Sequence, residues 1–119
     1  MAGFGSGPDL LASGSTASSL SVGLQIDALA PLDRLTVHTT NSRYEMIVVC
    51  PATGWVLMRG GKHSPHFTNW CVAGAAFHGG DLKPYGIYVG CPLALICDDD
   101  GILTSCVTAI EHVPASGPH

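Results

Sequence analysis

Side chains able to do chemistry gather in one stretch of this chain, between Gly60 and Gly86. There His63-Ser-Pro-His66 is followed by Cys71 and then by His78, a His-x2-His-x4-Cys spacing with a further imidazole seven residues on. Zinc and other transition metals take nitrogen and sulfur donors of these kinds, four of them in a tetrahedral structural site. A turn at Pro65 can bring His63 and His66 to one ion, so His63, His66, Cys71 and His78 form the candidate metal-ligand set. The set lacks the paired Cys-x2-Cys knuckle of zinc ribbons, and a Cys71 held in a strand would pack as a small hydrophobe instead. Solvent-exposed loop residues are the plainer reading of His63 and His66. Imidazoles also titrate near neutral pH, so the cluster can tune assembly with no metal at all. No cofactor is expected beyond zinc or another transition metal at this set.

Other constellations carry less. Asp98-Asp-Asp-Gly101 superficially resembles a calcium loop, but its acids are consecutive and its twelfth position is Ala109, where an EF-hand needs a glutamate. It reads as a charged hairpin tip with Gly101 in the left-handed position. Cys71 with His66 or His78 is the pair closest in sequence for nucleophilic work, yet no recognisable surrounding supports it. Glu45 and Asp81 sit in unrelated segments, and Arg59-Gly-Gly-Lys62 lacks the strand-to-helix context of a phosphate loop. No catalytic residue is assigned, and a non-enzymatic protein is expected. Arg43 beside Tyr44, and Lys62 ahead of Phe67 and Trp70, outline a small stacking platform of the kind OB- and SH3-like barrels offer to nucleic acid. A formal net charge of −4 argues against that partner.

The elements that must position these residues are strands. Leu35–Thr40, Tyr44–Cys50 and Trp55–Arg59 are β-branched or aromatic runs separated by Asn41-Ser-Arg and Pro51-Ala-Thr-Gly54, the pattern of a β-meander. Ser21–Ala28 alternates loosely as a first strand. Gly86–Cys97 reads as one long strand bent at Gly90 or Pro92, and Ile102–Val113 closes the sheet. Between the halves, Gly60–Gly86 reads as a long loop with one short apolar run, Trp70–Phe77. Residues 1–20, rich in Gly, Ser and Ala, read as a flexible or partner-bound arm; 21–113 form a single β domain, and 114–119 a tail. The fold class expected is all-β: a small antiparallel meander of five to seven strands closing into a barrel or barrel-like sandwich.

Composition points to assembly. Charged residues make up 12% of the 119, against about 25% in an ordinary soluble domain. Much of the surface must then be neutral or apolar, and exposed apolar patches mark interfaces. In Tyr44–Cys50 both alternate sets are apolar, Ile47 and Val49 as well as Tyr44, Met46 and Val48, so something covers each face of that strand. A homo-oligomer is expected. The five basic residues lie between 34 and 83, opposed there only by Glu45 and Asp81, while the seven remaining acids lie outside it. No apolar run approaches the ~20 residues needed to cross a bilayer, so no membrane is expected. Five cysteines, an odd number, follow an N-terminus without a basic n-region or apolar h-region, and a reducing cytoplasm with free thiols is expected. Cys91 and Cys106 are the pair that adjacent strands can set opposite one another.

The stretch from Asn41 to Lys62, with Gly86-Ile-Tyr-Val-Gly90 and Thr104-Ser-Cys-Val-Thr-Ala-Ile110, resembles small bacterial all-β proteins of no assigned activity, over about residues 36–113. The resemblance implies a compact barrel-like domain and carries over no site residues. The leading expectation is a binding or assembly module acting through an apolar oligomer interface, with Gly60–Pro84 as its variable surface and the small-molecule ligand, if any, unknown. The alternatives are a metal-binding protein using the 63–78 loop, and an OB- or SH3-like nucleic-acid binder.

Overall fold

A computed structural model describes residues 19–62 and 64–115. The expected arm, apart from its last two residues, lies outside the described residues. Among the described residues ten strands follow in chain order: β1 (Ser19–Ser21), β2 (Gly23–Gln25), β3 (Arg34–Thr39), β4 (Arg43–Cys50) and β5 (Trp55–Gly60). The remainder are β6 (Ser64–Ala76), β7 (Leu82–Pro84), β8 (Gly86–Tyr88), β9 (Pro92–Cys97) and β10 (Asp100–Val113). The fold is all-β and antiparallel. Six strands close a ring in the order β3-β4-β5-β6-β9-β10, with β10 returning to β3.

The ring closes through β10, which pairs with β9 and β3 inside the ring and also carries β1 along its second half. Its first half pairs with β9 and its second half with β3, and register shifts at Leu103/Cys106 and Val107/Ala109 bend it between them. Bulges add twist and turn a strand around a barrel corner, and closure removes the free edges that invite aggregation. Along each ring strand alternate side chains turn inward. Leu35 and Val37, Tyr44, Met46 and Val48, Val56 and Met58, Trp70 and Val72, Leu93 and Leu95, and Val107 and Ile110 fill the interior as one cluster. Burying each such side chain favours the fold by about 1.5–3 kcal/mol. The short ribbon of β2 and β8, with the 3-10 turn Ile26–Ala28, adds Ile26 and Ile87 to the same core.

Several local expectations are corrected. The segment read as a loop is mostly β6, a thirteen-residue wall of the ring, followed by the β6–β7 hairpin. Its strand character is hidden because it bulges twice, opposite Met58–Gly60 and at Val72–Gly74. Gly74 takes φ +148° there, and an added Cβ would strike the Lys83 carbonyl. The single strand expected over Gly86–Cys97 is two, broken where Gly90 adopts φ +94°. Ser21–Ala28 likewise divides between β1, β2 and the 3-10 turn. At the acidic tip it is Asp98, at φ +54°, that takes the left-handed position, while Gly101 pairs with Ile96 inside the ladder. The two-residue turn sets Cys97 opposite Asp100, one step earlier than a glycine-centred turn would.

A carboxylate seals the seam between β10 and β3. Asp33, 4% exposed, accepts from the Ala115 amide at 2.7 Å, from His112 Nε2 at 3.0 Å and from the Ala30 amide at 3.2 Å. Burial works against its charge, but these donors outweigh it and hold the carboxyl below its ordinary range. The expected tail is therefore anchored at its start. All five cysteines are free thiols; Cys106 stands opposite Pro92 rather than Cys91. Among the described residues no helix is long and apolar enough to cross a membrane.

Candidate functional site

The outward positions of β3 are polar, whereas β4, β5, β6 and β9 carry apolar ones and Leu103 on β10 is 63% exposed. On β5 the outward positions read Trp55, Leu57, Arg59. Leu57 pairs with Ile47 on β4 and with Asn69 on β6, while Trp55 pairs with Cys71, which in turn faces Ile96 on β9. Trp55 is 43% exposed and Ile96 44%, with Phe67 at 37%. Ile47, Leu57 and Cys71 are half-buried. Large apolar groups in adjacent ladder positions make a continuous patch, unlike the singly scattered surface hydrophobes that need no explanation.

Polar contacts fix the patch. The Trp55 indole Nε1 donates to Asn69 Oδ1 at 2.8 Å, so the ring is held outward by its cross-strand neighbour. Cys71 Sγ donates to the Thr53 carbonyl at 3.1 Å, and burial pushes its thiol pKa up. Cys50, at the end of β4, has the opposite character: the Thr53 hydroxyl and amide, aided by the Ala52 amide, lower its pKa against a smaller effect of burial. The 3-10 turn Pro51–Thr53 that supplies them ends at Gly54, whose φ of +76° and approach to the Val72 carbonyl exclude a side chain. A hollow of about 360 Å³ opens beside Trp55, lined by Asn69, Cys71, Ile96 and Asp98 among others.

At the other end of β5 the patch turns charged. Arg59 donates to Glu45 Oε1 at 2.8 Å and lies over Phe67, its guanidinium carbon 4.5 Å from the ring centroid. Arg43 reaches Glu45 Oε2 at 3.4 Å. The Arg59 hydrogen bond is the main reason the Glu45 carboxyl titrates below its ordinary range. Next to it, His38 and Glu111 pair at 2.6 Å across β3 and β10.

The histidine and cysteine set is distributed differently. His63 lies outside the described residues. His66 is exposed on the bulge at the start of β6, where its carbonyl accepts from Ser64 Oγ. Cys71 is on the outer face beyond it, with Thr68 to Cys71 alone spanning about 10 Å of extended chain. His78 lies past the end of β6, in the turn leading to β7. Among the described residues no three His, Cys, Asp or Glu side chains group for a metal ion. The stacking platform is also rearranged. Tyr44 and Trp70, at 5% and 7% exposure, belong to the core, and it is Arg59 that stacks on Phe67. Trp55, Leu57, Asn69 and Arg59 were not singled out by spacing. The signal for Trp55 and Leu57 was the uninterrupted apolar run Trp55–Met58, in which outward positions are as apolar as inward ones.

No family model, no curated protein and no solved structure matches this chain. Function is therefore argued from the face itself.

Proposed function

We propose that this chain is a non-enzymatic binding and assembly module of the cytoplasm, which forms a homo-oligomer through the outer face of β4, β5 and β6. The supporting observation is the row Ile47–Leu57 with Trp55 beside it, apolar on a ring whose interior is already filled by its own core. A strand apolar on both faces needs a cover on each, and here the second cover is another protein surface. The free thiols agree with a reducing compartment. Sedimentation velocity tests the reading: wild type should run as a discrete oligomer, and Leu57→Asp as a folded monomer. A wild-type monomer at every concentration would end it.

A second reading has one observation in its favour. Arg59 stacked on Phe67, with Trp55 exposed on the same face, resembles a single-strand stacking platform. Glu45 neutralises that cation, and the acidic tip flanks the face. Binding of a labelled single strand that weakens with salt and vanishes in Trp55→Ala would bring this reading forward.

A further inference from the structure

The outer face of the ring also holds a hollow away from Trp55. One row of paired residues crosses it: Arg59 on β5, Glu45 on β4, Thr36 on β3 and Glu111 on β10. Thr36 is the short side chain of that row, and a hollow of about 320 Å³ opens over it. That volume is at the lower end of the range for small-ligand sites, about 300–1,000 Å³. The next row supplies one wall, with Arg34 on β3 between Ile47 on β4 and Val113 on β10. Three polar groups here are unspent. Among the described residues Arg34 forms no ion pair, and neither the Thr36 hydroxyl nor Glu111 Oε1 forms a hydrogen bond. Glu111 turns away from Arg34, and its Oε2 pairs with His38 at 2.6 Å. Glu45, across Thr36 from it, has one oxygen on Arg59 and the other on Arg43.

We propose that this hollow binds a small zwitterion of the α-amino-acid class with an apolar side chain. Its carboxylate takes two N–H donors of Arg34, whose planar guanidinium suits that geometry. Its ammonium donates to Glu111 Oε1 and to the Thr36 hydroxyl, and its apolar side chain lies on Ile47 and Val113. Charge favours a zwitterion over an ion of either sign. The lining sets Arg34 and Arg59 against Glu45 and Glu111, so a lone anion meets two carboxylates and a lone cation two guanidiniums. A molecule carrying both charges answers each. Arg34 and Glu111 are diagonal neighbours on paired antiparallel strands, about 7–8 Å apart. That spacing leaves room for a group the size of an amino-acid backbone between the two charged heads. The site is complete in one copy of the chain, so it stands whether or not the chain assembles.

Isothermal titration calorimetry of the full chain with L-leucine tests this. Wild type should bind with a dissociation constant of about 0.1–1 mM. N-acetyl-leucine lacks the cation and leucine amide lacks the anion, and each should bind about tenfold more weakly or not at all. Arg34→Gln and Glu111→Gln should each weaken L-leucine binding by about tenfold or more, and Thr36→Val by about threefold. Arg34 is exposed and Glu111 half-buried, so both variants should fold, which circular dichroism checks. Absence of saturable L-leucine binding would overturn the proposal. So would undiminished binding of either blocked form, which would mark the contact as apolar or singly charged. Unchanged affinity in Arg34→Gln or in Glu111→Gln would overturn it as well, by placing the ligand elsewhere.

Discussion

Trp55 and Trp70 sit one register step apart on paired strands and meet opposite environments. Val56 faces Trp70 across the ladder, and Trp55 faces Cys71. Trp70 points into the ring, where its Nε1 donates to Thr68 Oγ1 at 3.1 Å and toward Ser64 Oγ at 3.4 Å. Ser64 itself is 1% exposed and bonds the Met58 carbonyl, so the bulge at the start of β6 encloses a satisfied polar pocket. Trp55 points outward, is held by one side chain and has no cover. The same residue type thus serves the core on one side of the wall and a contact surface on the other. Only the parity of its position decides which.

Substitution should separate these roles. Trp70→Ala removes a buried indole and leaves Ser64 and Thr68 without their donor, for a loss of about 3–5 kcal/mol in urea unfolding. Trp55→Ala should change the stability of the isolated subunit by less than about 1 kcal/mol, yet dissolve the oligomer in sedimentation. Equal losses of stability in the two variants would mean that the outer indole is core after all.

Carboxylates repeat the contrast. Asp33 is buried behind three donors, whereas Glu45 lies on the outer face between two arginines. Asp33→Asn replaces one acceptor oxygen by an amide that faces donors, and should cost about 2 kcal/mol at neutral pH. Because the folded-state pKa of Asp33 is lowered, its contribution is complete above the ordinary aspartate value of about 3.9 and fades as pH falls through the folded value. Wild type and variant should therefore converge in acid. Parallel stability curves across that range would show that the carboxylate charge contributes nothing.

The meander over β3, β4 and β5 was legible because those strands are β-branched and apolar runs between turns of ordinary length. So was the apolar second face of β4, through Ile47 and Val49. β6 was not legible. Its inward positions are Ser64, Trp70, Val72, Gly74 and Ala75, and two bulges reset the period that alternation depends on. The histidines drew notice there because ligand type is visible in a sequence, whereas the strand that carries His66 and Cys71 apart is not. Arg59 was passed over for the converse reason. Its neighbour Phe67 is eight residues away along the chain and adjacent only after β5 and β6 pair.

Glu45→Gln probes the weakest part of the contrast. The carboxylate joins Arg59 at 2.8 Å and Arg43 at 3.4 Å, but both arginines are largely in water. Exposed ion pairs contribute about 0.2–1 kcal/mol and are screened by salt. The isolated subunit should lose no more than that, and the difference should shrink in 1 M salt. Arg59 also lies over Phe67, a contact that does not use the carboxylate. Oligomer affinity in Glu45→Gln should therefore hold, because the row Ile47–Leu57 with Trp55 beside it is untouched. A marked fall in affinity would show that Glu45 itself takes part in the contact.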